Sequence, residues 1–399
     1  MIDSHESHIA VVLKDSRVLL VGLKSEVYSP IANTWLTVGG GAIARSQQTA
    51  TLLRDGRVLV AGGIDGVTGR SVPTTEIYDP ATNAWAPAAS MVGRRYAHTA
   101  TLLADGRVLV VGGTRSAVVL DSTEIYDPGS NRWAPGPSLP NPRSAHAATL
   151  LRDGRVLVAG GEDGSSTLAT AELFEPTANR WAPTNPMNTG RHSVALVSLN
   201  DGRFMAVAGL PGPGPQPGEA AEIFDPVRET WTVAGSATQP LLSYGEASVA
   251  LKDGRVFVSG GPSQTYMGDG LTTGYVYDPG TDRWATTNQM AQGRVNHTAS
   301  RLPDGRVLVA GGRNAQTNGT ALNTTEIFDA HLGVVASPAS ATSGDSAAGL
   351  PPNDTPIQIL AGRLPAPGLL AAGIAVIAIG VLATWFVRRR HKRGGWMRP

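Results

Sequence analysis

A chain of 399 residues with 33 Lys and Arg against 32 Asp and Glu has length for one large core and lacks the charge excess of a nucleic-acid-binding surface. Six of the basic residues fall in 388–399 with no acid among them, so residues 1–387 carry a net charge of −5. No cysteine is present, which excludes disulfides and thiolate metal centres.

The glycines and prolines recur at fixed places in a longer unit. Asp-Gly-Arg begins at Asp55, Asp105, Asp153, Asp201, Asp253 and Asp304, preceded by a worn copy at Asp15-Ser16-Arg17, with spacings of 40 to 52 residues. Trp35, Trp85, Trp133, Trp181, Trp231 and Trp284 run in phase, so six of the eight tryptophans share one repeat position. Seven units span residues 5–338.

Within the unit around Asp105, His98 to Leu103 reads as a first strand and Asp105-Gly106 as a tight turn, both residues tolerating positive φ. Arg107 to Val111 is a near-continuous apolar strand that should be covered on both faces. Gly112-Gly113 ends it, giving a sharp bend or a close backbone approach. Ser122 to Tyr126 is a third strand, Asp127-Pro128 starts the next turn, and Arg132-Trp133-Ala134 is a fourth, outer strand. Each unit is thus a four-stranded antiparallel meander that cannot bury both faces alone, and radial stacking covers each sheet with its neighbours. The tryptophans are expected to fill the wide outer gaps between sheets. Gly62, Gly63, Gly112, Gly113, Gly160, Gly161, Gly260, Gly261, Gly311 and Gly312 are the other structural repeat residues.

Arg107 to Gly113, Glu124 to Pro128 and Asn131-Arg132-Trp133 resemble kelch repeats, in the style of the propeller domain of galactose-oxidase-like proteins. The pattern returns at Arg57–Trp85 and Arg155–Trp181, and in weaker form at Arg203–Trp231, Arg255–Trp284 and Arg306–Asp329. The resemblance implies an all-β kelch β-propeller over residues 1–338, read as seven-bladed with six blades as the alternative. The copper centre of some related oxidases needs a tyrosine–cysteine crosslink, which a chain without cysteine cannot form. Unit 1 departs from the pattern in having only Gly22, and unit 7 in having Val335 where the tryptophan should stand.

Arg45, Arg95, Arg143, Arg191 and Arg294 lie ten residues before the turn Asp. Glu26, Glu76, Glu124, Glu172, Glu222 and Glu326 lie three before the residue that closes the third strand. Their recurrence in blade after blade points to Arg–Glu or Arg–backbone ties between strands, not to a catalytic group needed once. His8, His98, His146 and His297 share another phase and read as packed, hydrogen-bonded side chains; a metal ring would have to point into the axis. No nucleophile elbow, P-loop, HExxH or EF-hand pattern occurs, so no catalytic, cofactor-binding or metal-ligating residue is assigned and no cofactor is expected.

Variation falls in the connection between the second and third strands: 64–73, 114–121, 162–170, 210–218, 262–273 and 313–323. These loops should emerge on one face, a rigid scaffold presenting diverse side chains. The candidate binding-face residues are Asp65, Arg115, Glu162, Asp163, Gln216, Gln264, Tyr266, Asp269, Arg313 and Asn314. The expected partner is a protein or a glycan. A membrane-attached enzyme with an unrecognised propeller-face site, and a structural surface protein without a discrete ligand, are the alternatives.

Residues 339–367 form a Ser/Ala/Pro-rich tether. Residues 368–387 are uncharged and mainly apolar, a transmembrane helix by length, and the basic cluster Arg388 to Arg393 opens a cytoplasmic tail over 388–399. That orientation puts the propeller outside the cytoplasm. Met1 to Ser7 is no signal peptide, so the expectation includes a signal sequence upstream of the given start. Leu364-Pro365-Ala366-Pro367-Gly368 resembles the sorting signal of proteins attached to bacterial cell walls, with Pro367 where a threonine normally stands. A permanent helix anchor is the preferred reading.

Overall fold

The computed structural model describes residues 1–335 apart from 6, 40, 42–43, 211–219, 236–244, 263–269, 315–319 and 331–332. Seven four-stranded antiparallel sheets follow one another along this part of the chain. The third sheet shows the pattern: Thr99–Leu102, Val108–Val111, Thr123–Asp127 and Arg132–Pro135, paired in that order. The first runs from Ile9–Val12 to Thr34–Thr37 and the seventh from Thr298–Arg301 to Gly333–Val335.

First strands touch the first strands of the sheets before and after them, and Ile9–Val12 touches Thr298–Arg301. The ring is therefore closed, with seven blades around one axis.

Second strands are buried at every position, as Val108–Val111 illustrates, because both faces meet a neighbouring sheet. The core is accordingly a series of layers between blades. Leu53 and Leu59 of the second blade pack with Val108 and Tyr126 of the third. Val18, Leu20, Tyr28 and Trp35 of the first pack with Leu302, Leu308 and Ile327 of the seventh. Each such side chain, taken from water, contributes about 1.5–3 kcal/mol.

The turn between first and second strands differs from the two-residue form expected. Only Gly106 takes positive φ, at 95°, while Gly106 N–H donates to Leu103 O at 3.0 Å and Leu103 N–H to Arg107 O at 2.8 Å. It is a three-residue turn with a glycine bulge, and Asp105 braces it by accepting from Arg107 N and Nε at 3.0 and 2.8 Å. The worn first copy puts Ser16 at φ 76° in the glycine's place.

The double glycine is demanded by both conformation and space. Gly62 and Gly63 have φ of 64° and 97°, and a Cβ on them would lie 2.6 Å from Arg95 O and 2.7 Å from Ser46 O. Gly63 N–H donates to Arg95 O at 2.8 Å, so the bend joins one blade to the linker of the next.

The tryptophans pack beside the aromatic residue facing them on the third strand, with ring centroids 4.9 to 5.2 Å apart in six blades. Trp133, Trp181 and Trp231 also donate Nε1–H to Ala89, Pro137 and Asn185 carbonyls of the preceding blade's outer edge, at 2.7 to 3.0 Å. The seventh blade corrects the sequence alignment: Phe328 stands opposite Val334, not Val335, because the turn is one residue shorter. Phe328 stacks instead on Phe257 of the sixth blade, centroids 4.0 Å apart and planes within 10°.

The N-terminal segment completes the ring. His5 N–H donates to Leu322 O at 3.0 Å, Gly312 N–H to His5 O at 2.8 Å, and Ser7 N–H to Asn296 O at 3.1 Å. Among the described residues no helix is long and apolar enough to cross a membrane; the expected span, 368–387, lies outside them.

Candidate binding face

In each antiparallel meander the connection between second and third strands leaves from the same end as the linker that brings in the next blade. The variable loops and the inter-blade linkers therefore share one face. Neighbouring loops meet there: a Cβ on Gly164 would lie 3.3 Å from Val119, and one on Gly66 would lie 3.0 Å from Leu23.

The repeated charges hold this face together. Arg95 reaches Glu124 at 2.8 Å, Arg191 reaches Glu222 at 2.7 Å, Arg294 reaches Glu326 at 2.7 Å and Arg45 reaches Glu76 at 2.5 Å. Arg143 pairs with Glu172 in the same way. All are buried, and each guanidinium also donates to backbone carbonyls, Arg95 to Gly112 O and Ser122 O at 2.8 and 2.9 Å. The glutamates in turn accept linker N–H groups, Glu124 from Val92 and Gly93 at 2.7 and 3.0 Å. Burial pushes the guanidiniums of Arg45, Arg95, Arg143 and Arg294 down from the ordinary arginine range while the glutamate opposite pulls each back up. In the first blade His5 takes the arginine's place, its Nε2 3.2 Å from Glu26. In the sixth the sequence has Ser243 and Tyr275 at the two positions, so both charges are replaced together.

The in-phase histidines join blades near the axis. His98 Nε2 lies 3.1 Å from Thr49 Oγ1 of the preceding blade, His146 Nε2 2.8 Å from Thr99 Oγ1, His297 Nε2 2.9 Å from Ser259 Oγ, and His8 Nε2 2.9 Å from Thr298 Oγ1 across the closure. Burial holds His8, His98 and His297 down at about 3, and His146 well below the usual imidazole range. They are neutral structural groups. Among the described residues no set of three His, Asp or Glu side chains gathers closely enough to hold a metal ion.

Just ahead of each of these positions the backbone turns left-handed: Ser7, Gln47, Ala97, Ala145, Ser193, Gly245 and Asn296 have φ of 50° to 71°. Ala145 N–H donates to Ala97 O at 2.9 Å, Ser193 N–H to Ala145 O at 2.7 Å and Asn296 N–H to Gly245 O at 2.7 Å. These residues form a hydrogen-bonded belt around the axial mouth. Immediately before the belt, in five blades, a residue pairs with the one that follows the glycine bend (Ala208-Gly209 in the fifth blade, a double glycine in the others): Tyr96 with Thr114, Ser144 with Glu162, His192 with Leu210 and Val295 with Arg313. In the second blade Ser46 pairs with Ile64. These pairs extend the inner two strands to the mouth, and they vary where everything around them repeats.

The sequence-derived candidates separate accordingly. Glu162 and Arg313 belong to the mouth pairs, on the fourth and seventh blades. Asp163 accepts from Ser165 and Ser166 backbone N–H groups at 2.7 and 2.8 Å and from both hydroxyls. Those bonds outweigh its burial and hold it down at about 2. Asp65 likewise caps its own loop through Val67 and Thr68 N–H at 2.8 Å. Arg115 is exposed in a small hairpin, Thr114–Arg115 with Val118–Val119, and Asn314 is buried. Gln216, Gln264, Tyr266 and Asp269 lie outside the described residues. Tyr96, Ser144 and His192 are mouth residues that loop variability does not reveal; the signal is a changing residue lodged between the repeated Arg and the repeated His.

Within the axial channel a cavity of about 470 Å³ is lined by first-strand residues including Ala10, Val12, Leu196, Ser248, Ala299 and Arg301. Its walls are apolar and hydroxyl side chains, with Arg301 as the charged group among them.

Residues 48–92, 95–140 and 143–188 each match the Kelch motif. A solved structure titled "Structure of YjhT" superposes with a TM-score of 0.57 at 16% identity, covering 74% of this chain and 98% of that one. No curated protein matches the chain in sequence.

Proposed function

We propose, from the premise that this chain is a seven-bladed kelch β-propeller, that it is a binding module which engages a protein or a glycan through the face carrying its second-to-third-strand loops. One observation carries the reading. The residues that differ from blade to blade gather on one face and around one axial mouth, while every repeated charged side chain is consumed by the frame. A fold alone does not assign chemistry, and kelch propellers are scaffolds on which sites are placed.

The placement belongs to the same proposal. Residues 368–387 anchor the chain as a single membrane-spanning helix, 388–399 stay on the cytoplasmic side, and 339–367 tether the propeller outside the cytoplasm. The length and apolarity of that segment and the basic run after it support this. In intact cells added protease should then degrade the propeller; complete protection would reverse the orientation. Intact-mass analysis tests the anchor, since loss of everything after Pro367 would mean processing at the Leu364–Gly368 segment.

Binding is tested by capture of surface proteins and glycans on the chain and on a variant in which loops 64–73, 114–121 and 162–170 are replaced by short turns, with folding checked by circular dichroism. Loss of capture in the variant supports the loop face. Undiminished capture by the folded variant would contradict it.

A further inference from the structure

The buried repeated glutamates are matched by a cation or by backbone N–H donors, but Glu162 is not. Among the described residues no Lys or Arg pairs with it, and its side-chain hydrogen bond is a long one from Ser144 Oγ at 3.4 Å. Arg115, exposed on the neighbouring loop, does not reach it, and Arg313 occupies the same pair position three blades away. Glu162 is half-buried at the mouth, so its charge is set where water is partly excluded.

Its neighbours are fixed by the belt. The bonds from Ala145 to Ala97 and from Ser193 to Ala145 bring the linkers of the third, fourth and fifth blades side by side, which sets Tyr96, Ser144 and His192 in consecutive places. The Tyr96 phenol and the His192 imidazole both feel the Glu162 charge, and burial keeps the imidazole below its ordinary range. A carboxylate between an aromatic ring and a neutral imidazole is a receptor for an alkylammonium group. The adjoining belt residues, Ala97, Ala145 and Ser193, are small, so the approach suits a slender stem and not a bulky ring. The net charge of −5 on residues 1–387 also favours a cationic partner.

We propose that Glu162, flanked by Tyr96 and His192, receives a lysine ammonium that a partner protein presents to the axial mouth. This rests on the binding reading above and names its partner's chemistry.

Fluorescence anisotropy on the full chain in detergent micelles tests it with three labelled probes: a trilysine peptide, the same peptide acetylated on every side-chain nitrogen, and a glucosamine trimer. The trilysine peptide should bind, weaken at least tenfold with Glu162→Gln, weaken less with Glu162→Asp, and keep its affinity with Glu175→Gln, which alters an acid at the far end of the fourth blade. Acetylation should abolish binding. Absent binding of trilysine, equal binding by the acetylated peptide, or indifference to Glu162→Gln would overturn the assignment. Tighter binding of the glucosamine trimer would overturn the protein partner in favour of an amino sugar. Capture of a surface ligand that survives Glu162→Gln but fails on loop replacement would remove this inference and leave the binding face standing.

Discussion

Arg143 shows how much one repeated residue carries. Its side chain is fully buried, donates to Gly160 O at 2.9 Å and Thr170 O at 3.2 Å, and pairs with Glu172. Removing it alone leaves a buried carboxylate, so Arg143→Ala should cost about 3–5 kcal/mol by denaturant unfolding. The sixth blade, with Ser243 and Tyr275 in these places, indicates the compensated alternative. Arg143→Ser combined with Glu172→Tyr is therefore expected to cost less than Arg143→Ala; a cost equal to or above the single change would mean that the pair is more than a charge-balanced tie. At Gly63 a methyl group would meet Ser46 O at 2.7 Å with φ at 97°, so Gly63→Ala should lower stability by about 2 kcal/mol or more.

At the scale of the blade, the indole is the wedge. Trp231 lies against Phe224 at 4.9 Å, donates to Asn185 O at 3.0 Å and sits in a cluster that includes Leu157 and Leu173 of the preceding blade. Trp231→Ala is expected to cost about 3–5 kcal/mol, and Trp231→Phe clearly less, read as the shift in urea midpoint. These elements were legible in the sequence because most blades use the same parts: an apolar second strand covered twice, a double glycine where backbones meet, an indole at the outer gap. The mouth was less legible. Asp65 and Asp163 look like ligand contacts in a list of loop residues, yet both spend their oxygens on their own turns. Tyr96 and His192 lie in linkers that look uniform until the belt shows which position faces the mouth. The one-residue-shorter turn that sets Val334 opposite Phe328 depends on register, which spacing does not carry.

For the whole ring, the four blade-joining imidazoles make stability pH-dependent. Their folded pKa values lie far below the usual 6.5, at about 3 for His8, His98 and His297, so below pH 6.5 the unfolded chain binds protons that the folded chain does not. Their contribution is complete above that pH and is lost as pH falls toward 3, by up to about 1.4 kcal/mol per pH unit for each ring. Urea unfolding at pH 7.5, 6 and 5 should show steadily falling midpoints; a flat profile would mean that these imidazoles charge in place. Closure itself depends on the N-terminal segment, where His5, Ser7 and His8 bind the seventh blade. Hydrogen exchange on the intact chain and on one lacking residues 1–7 tests this most directly. A closed seven-blade ring predicts that the amides of Ile9–Val12 and Thr298–Arg301 exchange as slowly as those of Thr99–Leu102, and that the truncation releases the first two strands selectively. Rapid exchange of those two strands in the intact chain, at the rate of exposed turns, would show an open arc and contradict the closed ring on which the binding face stands.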